Sequence, residues 1–184
     1  MTKIERIPST IHTFTGRMVD PLDLKPEDVC VEDIAHHLSM QCRFSGATRF
    51  HYSVAQHSYL ASFLVPEDEA FDALMHDAPE YVLQDMARPL KHDIRLGQAY
   101  RGAERRIEKV ISEVFGVRFP MSPTVHDADT TMLVTEARDI MHGTSSWKGS
   151  YKDHPPADFT IRKWSPEKAE RKFLARFHDL RREG

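Results

Sequence analysis

HYSVAQHSYLASFLVPEDEAFDALMHDAPEYVLQD, residues 51–85, is the stretch whose pattern sets the fold class. Ser53 is placed as an N-cap, and Val54, His57, Leu60, Ala61 and Leu64 then recur at the three- and four-residue steps that share one face of a helix. His57 therefore points inward. After Pro66 a second helix, EDEAFDALMHDA, opens with acidic residues where the helix dipole favours them and carries His76 and Asp77 at its C-terminal end. Pro79 interrupts it and biases Ala78 away from helical angles, so PEYVLQD is expected as a separate or kinked turn.

The same periodicity extends in both directions. Ile34, Ala35, Leu38 and Cys42 give a helix from Glu32 to about Cys42, ended by SGATR at 45–49. A longer helix is expected from about Ile94 to Phe115, before Gly116. Pro123 opens another through Val125, Asp129, Met132, Glu136 and Ile140, with Asp129 on its apolar side, and a last one starts at Ser165 and Pro166. The first thirty residues are too broken by proline for a long helix and read as an extended wrap or small hairpin. The chain is thus expected to be all-α, one domain over 1–184. Its core spans about 31–142, a long loop with Trp147 and Trp164 covers about 143–164 and reads as functional or disordered, with a surface excursion packed by the two tryptophans as the plainer alternative, and a C-terminal helix covers about 165–183.

Composition narrows the function. With 25 basic and 28 acidic residues and a formal charge of −3, no global excess attracts a polyanion such as DNA. Cys30 and Cys42 lack the spacing of a disulfide scaffold or thiolate metal site and read as reduced. No run approaches the roughly 18 apolar residues of a membrane span, and no signal segment opens the chain, so a soluble, cytoplasmic protein is expected. Walker-type glycine loops, GxGxxG fingerprints and GxSxG elbows do not occur, which removes the commonest kinase, dehydrogenase and serine-hydrolase readings.

What remains is a constellation of metal-capable groups: His57, the adjacent pair His76-Asp77, and Asp129, reading H…HD…D. Imidazole nitrogen and carboxylate oxygen suit zinc, manganese, iron or cobalt, and all four groups sit on helices of one core. A lone histidine on an apolar face is more often a hydrogen-bonded core residue. The pair shifts the balance, because a carboxylate beside a core-facing histidine costs several kcal/mol uncompensated, and a bound cation compensates it.

SVAQHS, LMHDAPE and HDADTTM resemble the successive motifs of the HD phosphohydrolase superfamily, nearest to bacterial HD-domain 5′-nucleotidases and the short phage and prophage HD hydrolases acting on deoxynucleotides. The likeness runs from DIAHHLSMQCRFSG near residue 33 to TEARDI near residue 140. It implies an HD-domain helical bundle in which His57, His76, Asp77 and Asp129 bind one divalent metal. Asp127 is the rival to Asp129, but Ala128-Asp129 before Met132 and Leu133 matches the family's motif, and two residues along a helix are about 200° apart, so both cannot face one ion. Glu80 and Asp85 stand where the family carries acidic residues near the attacking water, although Pro79 replaces the small residue of that pattern.

Arg43 and Lys91 resemble phosphate-binding residues, with Arg49, Arg88, Lys148 and Lys152 in reserve. His36, His37 and His51 read as surface or supporting groups, and Arg101, Arg105 and Arg106 as a solvated helical face. The resemblance implies a metal-dependent phosphohydrolase cleaving the 5′-phosphate ester of a nucleotide, either a nucleotidase on monophosphates or a triphosphohydrolase on deoxynucleoside triphosphates. Mn, Co, Zn or Fe would serve, with additional Mg allowed. The expected partner is a small nucleotide, with no membrane, nucleic acid disfavoured and a homo-oligomer allowed. The rival readings are an HD-fold nucleotide- or protein-binding module with a structural metal and, less favoured, a nuclease.

Overall fold

The computed structural model describes residues 9–144, 151 and 154–182, and in them the chain is all-α apart from one two-stranded hairpin. Strands β1 (Ile11–His12) and β2 (Met18–Val19) pair antiparallel, with Ile11 opposite Val19. The hairpin is secured from inside. Asp33, fully buried on α1 (Val31–Met40), accepts the Thr15 amide at 2.7 Å and the Thr15 hydroxyl at 2.9 Å.

Helix α2 (Val54–Ala61) begins where the sequence indicates, with the Ser53 hydroxyl accepting the Gln56 amide at 3.1 Å. The acidic run Glu67–Glu69 forms a 3-10 turn rather than the expected first turn of an α-helix, and α3 occupies Ala70–Met75. Beyond it the chain continues through short-range bonds: the Ala78 amide donates to Met75 and the Glu80 amide to Asp77, both at 3.0 Å. Pro79 has helical angles and starts α4 (Glu80–Leu83), the position in a helix where a missing N–H costs nothing.

Helices α5 (Arg88–Lys91) and α6 (Gly97–Phe115) follow; α6 begins three residues later than the periodicity predicts and stops at Gly116, whose left-handed φ of 77° suits a residue without a Cβ. Ser122 caps α7 (Pro123–Asp139) by accepting the Val125 amide at 3.2 Å, and α8 (Pro166–Arg182) closes the chain.

The core is wider than the 31–142 segment. Ala169, Phe173 and Phe177 of α8 pack with Ile34 and Leu38 of α1, Val54 and Ala55 of α2, Leu74 and Met75 of α3 and Ile107 and Ile111 of α6, and Val19 and Leu24 from the N-terminal segment join them. Apolar burial near the chain ends rests on helix α8 lying across α1, α2 and α3. A second cluster, Tyr52, Ala61, Met132, Ile140 and Ile161, joins α2 to α7.

The segment 154–164 packs against the core, which the plainer alternative of a surface excursion does not describe. Ala157 and Ile161 are buried, their amides held by the Thr135 hydroxyl and the Asp139 carboxylate at 2.8 Å each, and Trp164 packs edge-on to Tyr59. Trp147, Lys148 and Lys152 lie outside the described residues. No described helix is long and apolar enough to cross a membrane.

Candidate metal centre

Three segments deliver the cluster: α2 brings His57, the turn after α3 brings His76 and Asp77, and α7 brings Asp129. One ligand atom from each of His57, His76 and Asp129 lies within 4.8 Å of the others. The two Nε2 atoms are 3.3 Å apart, and His57 Nε2 is 3.2 Å from Asp129 Oδ1. Asp77 Oδ2 stands 3.3 Å from His76 Nε2 and 3.7 Å from His57 Nε2. Two imidazole nitrogens at that separation cannot both carry a proton toward each other. The pair accommodates a shared proton or a shared cation, and with two carboxylates converging on it the donor types are ones that a divalent ion could take.

The orientations are set from behind. His57, with no exposed surface, has its Nδ1 2.6 Å from Glu136 Oε1, and His76 has its Nδ1 2.8 Å from the Ala73 carbonyl. Asp127, by contrast, is 77% exposed and lies 3.7 Å from His154. Asp129 is therefore the α7 carboxylate at the cluster. Its neighbours Val125, Ala128 and Met132 are buried, which fixes the rotation of the helix.

Arg43 enters from the turn Arg43–Gly46, in which Phe44 and Ser45 take left-handed angles. Its guanidinium sits among three carboxylates: NH1 donates to Asp77 Oδ2 at 3.3 Å, Nε lies 3.3 Å from Glu136 Oε1, and NH2 is 3.9 Å from Asp129 Oδ1. The charges answer one another. Burial and the Arg43 charge press the His57 pKa down, but the Glu136 and Asp129 carboxylates outweigh them and lift it to about 9. Burial alone would raise both aspartates; His76, His57 and Arg43 hold Asp77 low, and the same three groups hold Asp129 well below the carboxylate range.

Beside the cluster, Glu80 is 6% exposed and its Oε2 has no hydrogen-bond partner among the described residues. Burial, reinforced by the Asp77 and Asp85 charges, raises the Glu80 pKa well above its ordinary value. Asp85 is also raised, chiefly by burial and against the pull of Arg43. Between them Gln84 adopts φ 69° and ψ 152°, a region that side chains rarely enter. The kink is held in place: the Gln84 amide donates to the Glu80 carbonyl at 2.8 Å, the Tyr100 hydroxyl donates to the Gln84 carbonyl at 2.7 Å, and the Asp85 amide donates to Gln41 Oε1 at 3.1 Å. Lys91, on α5, is at the rim, where its charge acts on Asp77 and Glu80 while its ammonium pairs with Glu104 at 2.5 Å. Among the reserve cations, Arg88 is exposed and Arg49 donates to the Asp139 carbonyl at 3.5 Å.

The chain is 40% identical over 173 residues to the uncharacterized protein YfdR of Escherichia coli K12, a match covering 94% of this chain and 96% of that protein. The chain belongs to the YfdR family. It is also 37% identical over 140 residues to an uncharacterized protein of Rhodobacter capsulatus, covering 69% of this chain and 70% of the other. No family model matches the chain.

In this YfdR-family chain two groups at the centre lie within the segments DIAHHLSMQCRFSG and TEARDI but are not singled out there as site residues. Glu136 falls seven residues after Asp129 on the same helical face, so the spacing was visible but nothing distinguished a buried carboxylate from a solvated one. Gln41, which also donates to the Glu80 carbonyl at 2.9 Å, is reached only through the tertiary approach of α1 to α4. Three other histidines have structural partners: His36 pairs with Glu170 at 3.0 Å, His37 with the Tyr81 carbonyl at 2.8 Å, and His51 with the Ser39 carbonyl at 3.0 Å.

Proposed function

We propose that this chain is a divalent-metal-dependent phosphohydrolase with an HD-type helical domain, cleaving the 5′-phosphate ester of a deoxynucleotide. One observation carries the metal reading: the approach of His57 Nε2, His76 Nε2 and a carboxylate oxygen of Asp129 to within 4.8 Å, with Asp77 at the edge of the same group. Those residues fit a divalent ion in donor type and convergence, and Asp77 and Asp129 would balance its charge. When bound, such an ion polarises a phosphate oxygen and lowers the pKa of a coordinated water.

The other residues supply what an ion does not. Two carboxyl groups of different exposure flank the cluster, an arrangement that divides acid and base work between them. Asp85, the more exposed, would take the proton of the attacking water, and Glu80, whose burial beside Asp77 and Asp85 shifts its carboxyl toward the protonated form, would give a proton to the leaving nucleoside oxygen. Arg43, whose NH2 makes the longest of its carboxylate contacts, would turn that arm to the phosphate, and Lys91 would neutralise charge at the rim. The nucleotide as substrate rests on the resemblance of the motifs to HD nucleotidases.

The test is hydrolysis of deoxynucleoside mono-, di- and triphosphates with manganese, cobalt or zinc supplied, with both products identified. Phosphate plus nucleoside supports a nucleotidase, and tripolyphosphate plus nucleoside a triphosphohydrolase. Metal uptake without hydrolysis of any nucleotide overturns the catalytic reading in favour of a binding module.

A further inference from the structure

We infer that Glu136 is a positioning residue of the metal centre: its carboxylate fixes the ring of His57 so that Nε2 faces the ion and strengthens that nitrogen as a ligand. The inference rests on the metal reading above and extends it to a residue outside the expected ligand set.

The geometry is specific. Glu136 has no exposed surface, and its Oε1 is 2.6 Å from His57 Nδ1. A carboxylate offers no proton to a ring nitrogen, so Nδ1 bears the hydrogen and Nε2 is left to coordinate. The ring cannot turn over without losing this short bond in a dry environment. Asp129 and Glu136 are seven residues apart on α7, so one helical face supplies both a ligand and the group that aims another ligand.

Arg43, 3.3 Å from Glu136 Oε1, offsets part of the buried charge, so the case rests on the short contact to the His57 ring. Burying a carboxylate is costly, and a glutamine carbonyl would accept the same Nδ1–H without that cost. The second histidine shows the neutral alternative in use, since His76 Nδ1 faces the Ala73 carbonyl at 2.8 Å. The two histidines are therefore unequal ligands, one backed by a charge and one by a peptide dipole. Arg43, 3.3 Å from the same Oε1 and also bonded to Asp77, links Glu136 to the carboxylate side of the centre.

The experiment compares wild type, Glu136→Gln and Glu136→Asp for zinc and cobalt affinity by competition with a chromophoric chelator, with thermal unfolding as the check on folding. Nitrogen-15 histidine spectra of the zinc-loaded proteins are recorded alongside. Glu136→Gln is expected to fold and to bind 10- to 100-fold more weakly, the range for groups that orient metal ligands. Its His57 Nδ1 proton should lose the far-downfield position of a short bond to a carboxylate. Glu136→Asp, which keeps the charge at shorter reach, should recover part of the affinity, and it carries the comparison if the glutamine variant does not fold. Affinity within twofold of wild type in both variants, or a His57 bound through Nδ1, overturns the inference. Wild-type protein that takes up neither ion overturns the metal reading itself, a result separable from the first because it is read on the unmodified chain.

Discussion

Glu80 and Asp85 differ from the cluster residues in what they are placed to touch. His57, His76 and Asp129 converge on one point, whereas Glu80 lies in the wall with an oxygen unpaired among the described residues and Asp85 stands half-exposed beyond a backbone kink. Removing either acid without changing its shape should therefore spare the ion. Glu80→Gln and Asp85→Asn are each expected to keep the wild-type metal content while turnover falls by about a hundredfold or more, the usual loss for a general acid or base. Elemental analysis beside steady-state rates checks this, and unchanged turnover in both variants removes the proposed roles. At this scale the sequence was legible where a residue's place follows from its own helix: His57 and Asp129 face inward because Val54 and Met132 do. Arg43 was not legible in the same way. Its neighbours indicated an arginine near the site, but only the fold shows that three carboxylates surround the guanidinium.

The elements hold the site by their ends. Ser53 starts α2 four residues before His57, Pro79 starts α4 one residue before Glu80, and Ser122 starts α7 seven residues before Asp129. The starts at Ser53 and Pro123 could be read from capping chemistry, whereas Pro79 was legible only as a break. The strained Gln84 could not be read, because a left-handed glutamine is held by Gln41 and Tyr100, which arrive from other helices.

The N-terminal hairpin is likewise held by a tertiary contact, the buried Asp33. Burial pushes that carboxyl up, but bonds from the Thr15 amide, the Cys30 thiol and the Thr15 hydroxyl overcome it and hold the pKa below its usual value. A carboxyl lowered on folding stabilises the native state above its unfolded pKa of about 3.9 and loses that contribution as pH falls through the folded value. Asp33→Asn should therefore cost about 2 kcal/mol at pH 7, the scale of hydrogen bonds to a charged group. In denaturant titrations the gap to wild type should narrow only below about pH 4. A gap of constant size down to pH 2 would show that the carboxylate charge does not matter there.

The whole molecule makes α8 more than a tail. Phe173 has no exposed surface and sits where α8 crosses α1, α2 and α3, so Phe173→Ala should lower stability by about 3–5 kcal/mol, as measured by denaturant unfolding. A loss under 1 kcal/mol would mean that α8 adds little to the core. The sequence marked α8 as a helix from its Ser165-Pro166 start, but with no binding motif on it there was no reason to assign it to the core around the site. It packs on α2 and α3, which carry or precede three of the four expected ligands, so the fold and the centre are one construction.

That unity makes metal content the most direct measurement. Elemental analysis of purified protein, after exposure to manganese, iron, cobalt and zinc and removal of loosely held ions, is expected to find about one divalent ion per chain in wild type. His76→Ala and Asp129→Ala should lose it, and Asp127→Ala, altering only an exposed carboxylate, should keep it. Full occupancy in a His76→Ala, Asp77→Ala double variant, or no bound ion in wild type with any of the four metals, would contradict the assignment of this cluster as a metal centre.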